Sequence, residues 1–171
     1  MYKLQPKPVI VTLEIASADM EQFNTLRALH FPGHANYLEA HLTLFYRLPG
    51  MEAAIPEILQ QYAQRPVMPL QVSGVVNFGT GVAYTLQSSM LQELHASLQK
   101  DFDPWLVKQD RHPLRPHITI QNKVTAFKAA QLHAQLTESF TPFDITAVGF
   151  GTWAYLRGPW KALDRFMFEE R

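Results

Sequence analysis

The sequence contains no cysteine. That excludes a thiol nucleophile, a cysteine-ligated zinc or iron–sulfur centre and a disulfide framework, and it fits a reducing, cytoplasmic setting. It also lacks charge of either sign in excess: Lys plus Arg and Asp plus Glu are both 15, and charged residues are only 18% of the chain. A long nucleic-acid groove needs a basic stripe, and the balance leaves no room for one; small anions or the end of a nucleic acid remain as partners. No apolar run approaches the ~20 residues of a membrane-spanning helix. Lys3, Lys7 and the apolar Val9 to Ile15 before Ala16-Ser17-Ala18 imitate a secretory leader. The stretch is short, opens after Pro8, contains Glu14, and alternates Val9, Val11, Leu13, Ile15 as a strand does, so a strand is expected there. Glycine motifs are missing as well. Gly79-Thr80-Gly81 and Gly149-Phe150-Gly151 lack the third glycine of a dinucleotide loop, and there is no Walker loop or Gly-x-Ser-x-Gly elbow.

What is present is an ordinary core-forming composition, 47% hydrophobic and 12% aromatic over 171 residues. That is enough for one domain spanning 1–171. Periodicity and breakers give a strand over Pro8–Ile15 and a helix capped by Ser17 or Asp19 and running to about His30. A loop follows over 31–39, then a strand over Ala40–Leu48 and a helix from about Glu52 to Gln64. Two strands, Pro69–Phe78 and Val82–Leu86, meet at the 79–81 turn, before a helix over Leu91–Phe102. After an irregular 103–115 come a strand at His117–Gln121 and a helix capped by Thr125 and reaching Ser139. A strand-rich Phe143–Leu156, broken near Gly149 or Gly151, a turn at Gly158-Pro159-Trp160, and an edge strand at Arg165–Phe168 close the reading. Strands and helices in this mixed order describe an α+β fold.

One tetrapeptide recurs. His41-Leu42-Thr43-Leu44 returns as His117-Ile118-Thr119-Ile120. With 7 His and eleven Thr in the chain, about 0.45 His-x-Thr triplets are expected by chance, but only ~0.01 with Leu or Ile at both other positions. In a strand, residues two apart share a face, so each motif turns two aliphatics toward a core and presents a His and a Thr together on the opposite face. Two such strands side by side would assemble two imidazoles and two hydroxyls around one cleft. Imidazoles titrate near neutral pH and can act as acid and base, while hydroxyls donate to phosphate oxygens. In-line displacement at phosphorus needs a base on the attacking side and an acid on the leaving side, and a histidine pair provides both without a metal.

Twin His-x-Thr-x strands about 75 residues apart make the chain resemble the 2H phosphoesterase superfamily, in particular its 2′-5′ RNA ligase-like and RNA 2′,3′-cyclic phosphodiesterase branch. The resemblance implies a bilobal, pseudo-twofold α+β fold: two mostly antiparallel sheets flanked by helices, with a cleft between lobes and one motif in each. It implies acid–base work by His41 and His117 and phosphate binding by Thr43 and Thr119. The activity it implies is opening of a 2′,3′-cyclic phosphate on a nucleotide or RNA end, with possible reversal as a 2′-5′ ligase. A monomer without cofactor or membrane attachment is expected; a non-catalytic nucleotide or RNA-end binding module is the alternative.

Further candidates flank the motifs. Phe45, two residues past Thr43, is placed to stack on a base. Arg115 precedes His117 by two, Lys123 follows the second strand within range of another phosphate, and Tyr155 and Arg157 lie two apart on a late strand. Trp153 and Trp160 read as core or rim packing. His95 imitates a third copy of the motif but lies in a helical stretch, so a surface position is expected, and His112 and His133 read as solvated. His30 and His34 have metal-ligand spacing, but Pro32-Gly33 breaks the helix that would align them, so no metal site is expected.

Overall fold

The computed structural model describes residues 6–170. Its strands are β1 (Val9–Ile15), β2 (Leu42–Leu48), β3 (Met68–Asn77), β4 (Val82–Gln87), β5 (His117–Gln121), β6 (Phe143–Tyr155) and β7 (Trp160–Met167). Its helices are α1 (Ser17–His30), α2 (Ala54–Tyr62), α3 (Ser89–Phe102) and α4 (Ala126–Ser139). The α+β class is as the sequence indicates, and every strand pair is antiparallel.

The expected pair of sheets is a single sheet of seven strands in the order β2-β1-β6-β3-β4-β5, with β7 also paired to β6. The 13-residue β6 makes it continuous. Its start, Phe143 to Ala147, pairs with β3, and its remainder pairs with β1 and β7. The glycines expected to break β6 instead let neighbours approach it. A Cβ at Gly149 would lie 2.6 Å from the Phe166 carbonyl oxygen, and one at Gly151 would collide with the Glu14 carboxylate and sit 3.0 Å from Thr12 Oγ1.

The chain order contains a repeat that the residues barely show. β1-α1-β2-α2-β3 is followed by β4-α3-β5-α4-β6, and exchanging the two halves returns the same sheet order read from the other end. β7 stands outside the repeat. The motif strands β2 and β5 are therefore the two ends of the sheet, and the sheet curls until they approach each other. One face carries the helices and the core, where Leu13, Leu42, Leu44, Ile118, Ile120 and Phe150 pack against Phe23, Leu59, Leu91, Leu98 and Leu132. The opposite face is the concave wall of the cleft.

Local signals behave unevenly. Ser88 and Thr125 cap α3 and α4 by accepting the Leu91 and Lys128 amides at 3.1 and 3.3 Å. The N-cap of α1 is Ala16, with no side-chain bond. Asp19, expected to cap that helix, instead accepts the Thr146 amide at 2.8 Å and ties α1 to β6. β7 begins at Trp160, five residues before the expected edge strand, because the β6–β7 turn is tight and pairing resumes at once between Tyr155 and Trp160.

Candidate active site

His41 immediately precedes β2 and His117 opens β5. Each ring is fixed in the same way: Nδ1 lies 2.8 Å from the carbonyl oxygen two residues earlier, that of Glu39 for His41 and of Arg115 for His117. A carbonyl only accepts, so Nδ1 carries the proton and donates, and Nε2 is left as the reactive nitrogen of each ring. Both rings, with Thr43 and Thr119, line one cleft of about 890 Å³. Leu42, Leu44, Ile118 and Ile120 are buried behind them.

The register explains what alternation alone misses. Between β1 and β2, Thr12 faces Thr43 but Val11 faces Phe45; between β4 and β5, Ala83 faces Thr119 but Val82 faces Gln121. One extra residue is thus accommodated after each motif threonine, a bulge at the same place in both halves. The bulge reverses which residues face the cleft. Phe45, expected to stack on a base, is completely buried, parallel to His95 at 4.7 Å and edge-on to Phe102. Its place at the cleft is taken by Tyr46, and Asn122 takes the equivalent place after β5.

The other candidates separate cleanly. Arg115, Lys123 and Tyr155 line the cleft. Lys123 is held in a left-handed conformation, φ 58°, while Asn122 Oδ1 accepts its amide at 2.8 Å and the Thr80 hydroxyl at 2.9 Å. Arg157 is not part of the wall: β6 ends at Tyr155, the chain turns with φ 63° at Arg157, and the shared face of a strand no longer applies. Trp160 is at the rim, its ring 4.6 Å from that of His41. Among the described residues no three His, Asp or Glu side chains converge as a metal site would require.

Two histidines expected at the surface are bonded instead. His95 is buried, with Nε2 3.0 Å from the Leu44 carbonyl oxygen, the bulge residue of β2. His133 bonds the Val75 carbonyl at 3.1 Å and ties α4 to β3. Beside His95, the buried Asp110 carboxylate accepts the Tyr46 and Arg47 amides at 3.0 Å. His95 and Asp110 occupy the outer edge of β2, where no further strand pairs. They hold the segment that carries His41 and Thr43. Arg27, missed in the sequence, does the corresponding work on β5, donating from Nη1 to the Thr119 carbonyl at 2.9 Å. Its signal was its place on α1, four residues from both Phe23 and Phe31 and therefore on the buried stripe.

Electrostatics break the symmetry of the pair. His41 is pushed down to about 4 by burial above all; the bond to the Glu39 carbonyl pulls it part of the way back up, and the nearby charges of Arg27 and His117 add smaller downward pushes. His41 is therefore neutral at physiological pH, with Nε2 an open base. The cleft wall carries Arg27, Arg115 and Lys123 and no Asp or Glu. It is a site built for an anion.

The 2′-5′ RNA ligase superfamily model matches residues 15–159. Comparison with curated proteins returns no match. Among solved structures, E. coli LigT complexed with 3′-AMP is 20% identical over 97% of this chain and 100% of that one, with a TM-score of 0.61. TT0787 of Thermus thermophilus is 13% identical over 96% and 99%, with a TM-score of 0.66. A structure described as a phosphoesterase covers 97% of this chain at 20% identity and a TM-score of 0.60. At these identities the structures establish the fold, and the match over residues 15–159 establishes the lineage: this chain belongs to the 2′-5′ RNA ligase superfamily, the 2H phosphoesterases.

Proposed function

We propose that the protein is a metal-independent phosphodiesterase that opens a 2′,3′-cyclic phosphate, or a related ribose cyclic phosphate, on a nucleotide or RNA end. The observation that carries this reading is the matched pair of histidines, each with Nδ1 tied to a backbone carbonyl and Nε2 free, on one acid-free cleft. The relatives lend chemistry of the same kind, since LigT has been crystallised with 3′-AMP and with phosphate.

The reaction follows from the two rings. His41 Nε2, held neutral, takes a proton from water as the water oxygen bonds to phosphorus. The phosphorus bond to one ribose oxygen breaks on the opposite side, and His117 Nε2 gives that oxygen its proton. The product is a phosphomonoester with a free neighbouring hydroxyl, and the proton gained by His41 is the one His117 must recover before the next turnover. Thr43 and Thr119 donate to the non-bridging oxygens, where negative charge grows in the transition state. The aromatic wall of Tyr46, Phe78 and Tyr155 offers faces to a base. With the 5′-hydroxyl of a second strand in place of water, the same steps form its bond to phosphorus, break the bond to the 3′-oxygen and leave a 2′-5′ diester beside a free 3′-hydroxyl, the ligation for which the superfamily is named.

The test is turnover of a panel of 2′,3′-cyclic nucleotides and cyclic-phosphate-terminated oligoribonucleotides, with and without excess EDTA. Activity that resists EDTA and is lost in both H41A and H117A supports the reaction. Activity that vanishes on chelation and returns with added metal, or persists in either histidine variant, refutes it.

A further inference from the structure

Arg27 is only 5% exposed, yet among the described residues no carboxylate lies within ion-pairing distance of it. Its Nε donates to Asn36 Oδ1 at 2.9 Å, its Nη1 to the Thr119 carbonyl at 2.9 Å, and its guanidinium carbon sits 4.1 Å above the Phe31 ring. These partners are all uncharged. Burial has lowered its proton affinity to about 10, which still leaves it cationic at neutral pH. A buried cation without an anion is expensive, and two neutral acceptors do not need a full charge to satisfy them. Nη2 has no acceptor in the described protein but is not sealed from solvent, and the side chain forms part of the cleft wall. The accessible edge of the guanidinium therefore opens where the motif residues do. Its charge reaches His41 and lowers the proton affinity of that ring.

We propose that Arg27 is a substrate-binding residue of the cleft, the buried countercharge of the phosphate group, with Nη2 donating to a non-bridging oxygen while Nη1 holds the Thr119 carbonyl. The inference rests on the reading of the cleft as a phosphate-ester site. One planar group then links the anion to the strand that carries His117 and Thr119, so the phosphate and the second motif are positioned together. Arginine suits this because its fork serves two acceptors in fixed directions, where a lysine offers a single point of charge.

The experiment uses inorganic phosphate and needs no turnover. Isothermal titration with phosphate should show binding by the wild-type protein, about 10- to 100-fold weaker binding by R27Q, and partial recovery by R27K, which restores the charge but not the fork. Wild-type affinity in R27Q overturns the proposal. So does R27K binding as weakly as R27Q, which would assign the effect to packing of α1 rather than to charge. Where R27Q fails to fold, the wild-type protein decides: the Arg27 side-chain N–H resonances should shift on phosphate saturation, and unmoved resonances, or no phosphate binding by the wild type at millimolar concentration, refute the role. A protein that binds phosphate through Arg27 but opens no cyclic phosphate would sink the proposed reaction and leave this inference standing.

Discussion

Removing the Trp160 ring tests the link between burial and the assignment of His41 as the base. The indole lies 4.6 Å from the imidazole, and burial is the largest cause of the lowering of His41 to about 4. In a two-histidine reaction the acidic limb of kcat/KM reports protonation of the base in the free enzyme. With a value of about 4, about 97% of His41 is neutral at pH 5.5, and the limb lies well below the ~6.5 of an ordinary imidazole. Trp160→Ala lets water reach the ring and moves the value upward. Full relief to ~6.5 would leave about 10% neutral at pH 5.5, an almost tenfold fall that is absent at pH 8. Arg27 and His117 remain in the variant, so the midpoint should stop short of that limit.

Trp160 also touches the cleft, and its loss changes substrate binding at every pH. The comparison is therefore between profile shapes, each normalised to its own value at pH 8, from about pH 4 to 9. An acidic limb that rises by at least one unit in W160A supports the reasoning. A wild-type limb already near 6.5, or one unmoved by the substitution, would show that burial does not set the base and would return the assignment of the two histidines to symmetry.

His41→Ala and His117→Ala should each lower turnover by about 10²–10⁴, while Thr43→Val and Thr119→Val, which keep the branched shape, should cost less; steady-state kinetics on the best cyclic phosphate checks both. Acid should weaken the fold before it unfolds it: the unfolded chain protonates His41 below ~6.5 but the native protein does so only near 4, so stability is whole above ~6.5 and falls by about 1–2 kcal/mol between pH 7 and 5 from this group, read by urea denaturation at the two pH values. His95 and His30, also lowered by burial, act in the same direction. Asp110→Ala should cost about 2–4 kcal/mol, because the Tyr46 and Arg47 amides lose a charged acceptor at the edge of β2; the same denaturation curve reports it.

The motif strands were legible because their signal is local: His and Thr two apart, aliphatics between, in a chain with too few histidines for chance. Arg115, Lys123 and Tyr155 were legible for the same reason, lying at or just beyond strand ends that alternation locates. Phe45 was not, because the bulge that turns it into the core is set by pairing with Val11, more than thirty residues away. His95 shows a different failure. A helical setting rules out a shared strand face but does not say which side of the helix a residue takes; four residues after Leu91 and three before Leu98, His95 lies on the buried stripe of α3. The bonds that hold the site join residues 51 and 92 apart, His95 to Leu44 and Arg27 to Thr119, and nothing local announces them.

Those two bonds also show how a nearly symmetric fold produces an unsymmetric pair of histidines. β2 and β5 share no ladder, so the curl of the sheet is held by helices reaching across it. α3, from the second half, bonds the first motif strand, and α1, from the first half, bonds the second. The bulges match, and so do the Nδ1 bonds. The departures all fall on one side. His95, the buried side chain reaching β2, is a histidine whose proton affinity burial lowers, whereas Arg27, reaching β5, keeps a charge that acts on His41. β7 has no counterpart in the repeat, and it alone supplies Trp160 to cover His41. Two halves built alike would offer two equivalent rings, each as ready to be acid as base. In the proposed reaction, one strand beyond the repeat and one cation beside the cleft favour the first histidine as the proton acceptor and leave the second to donate.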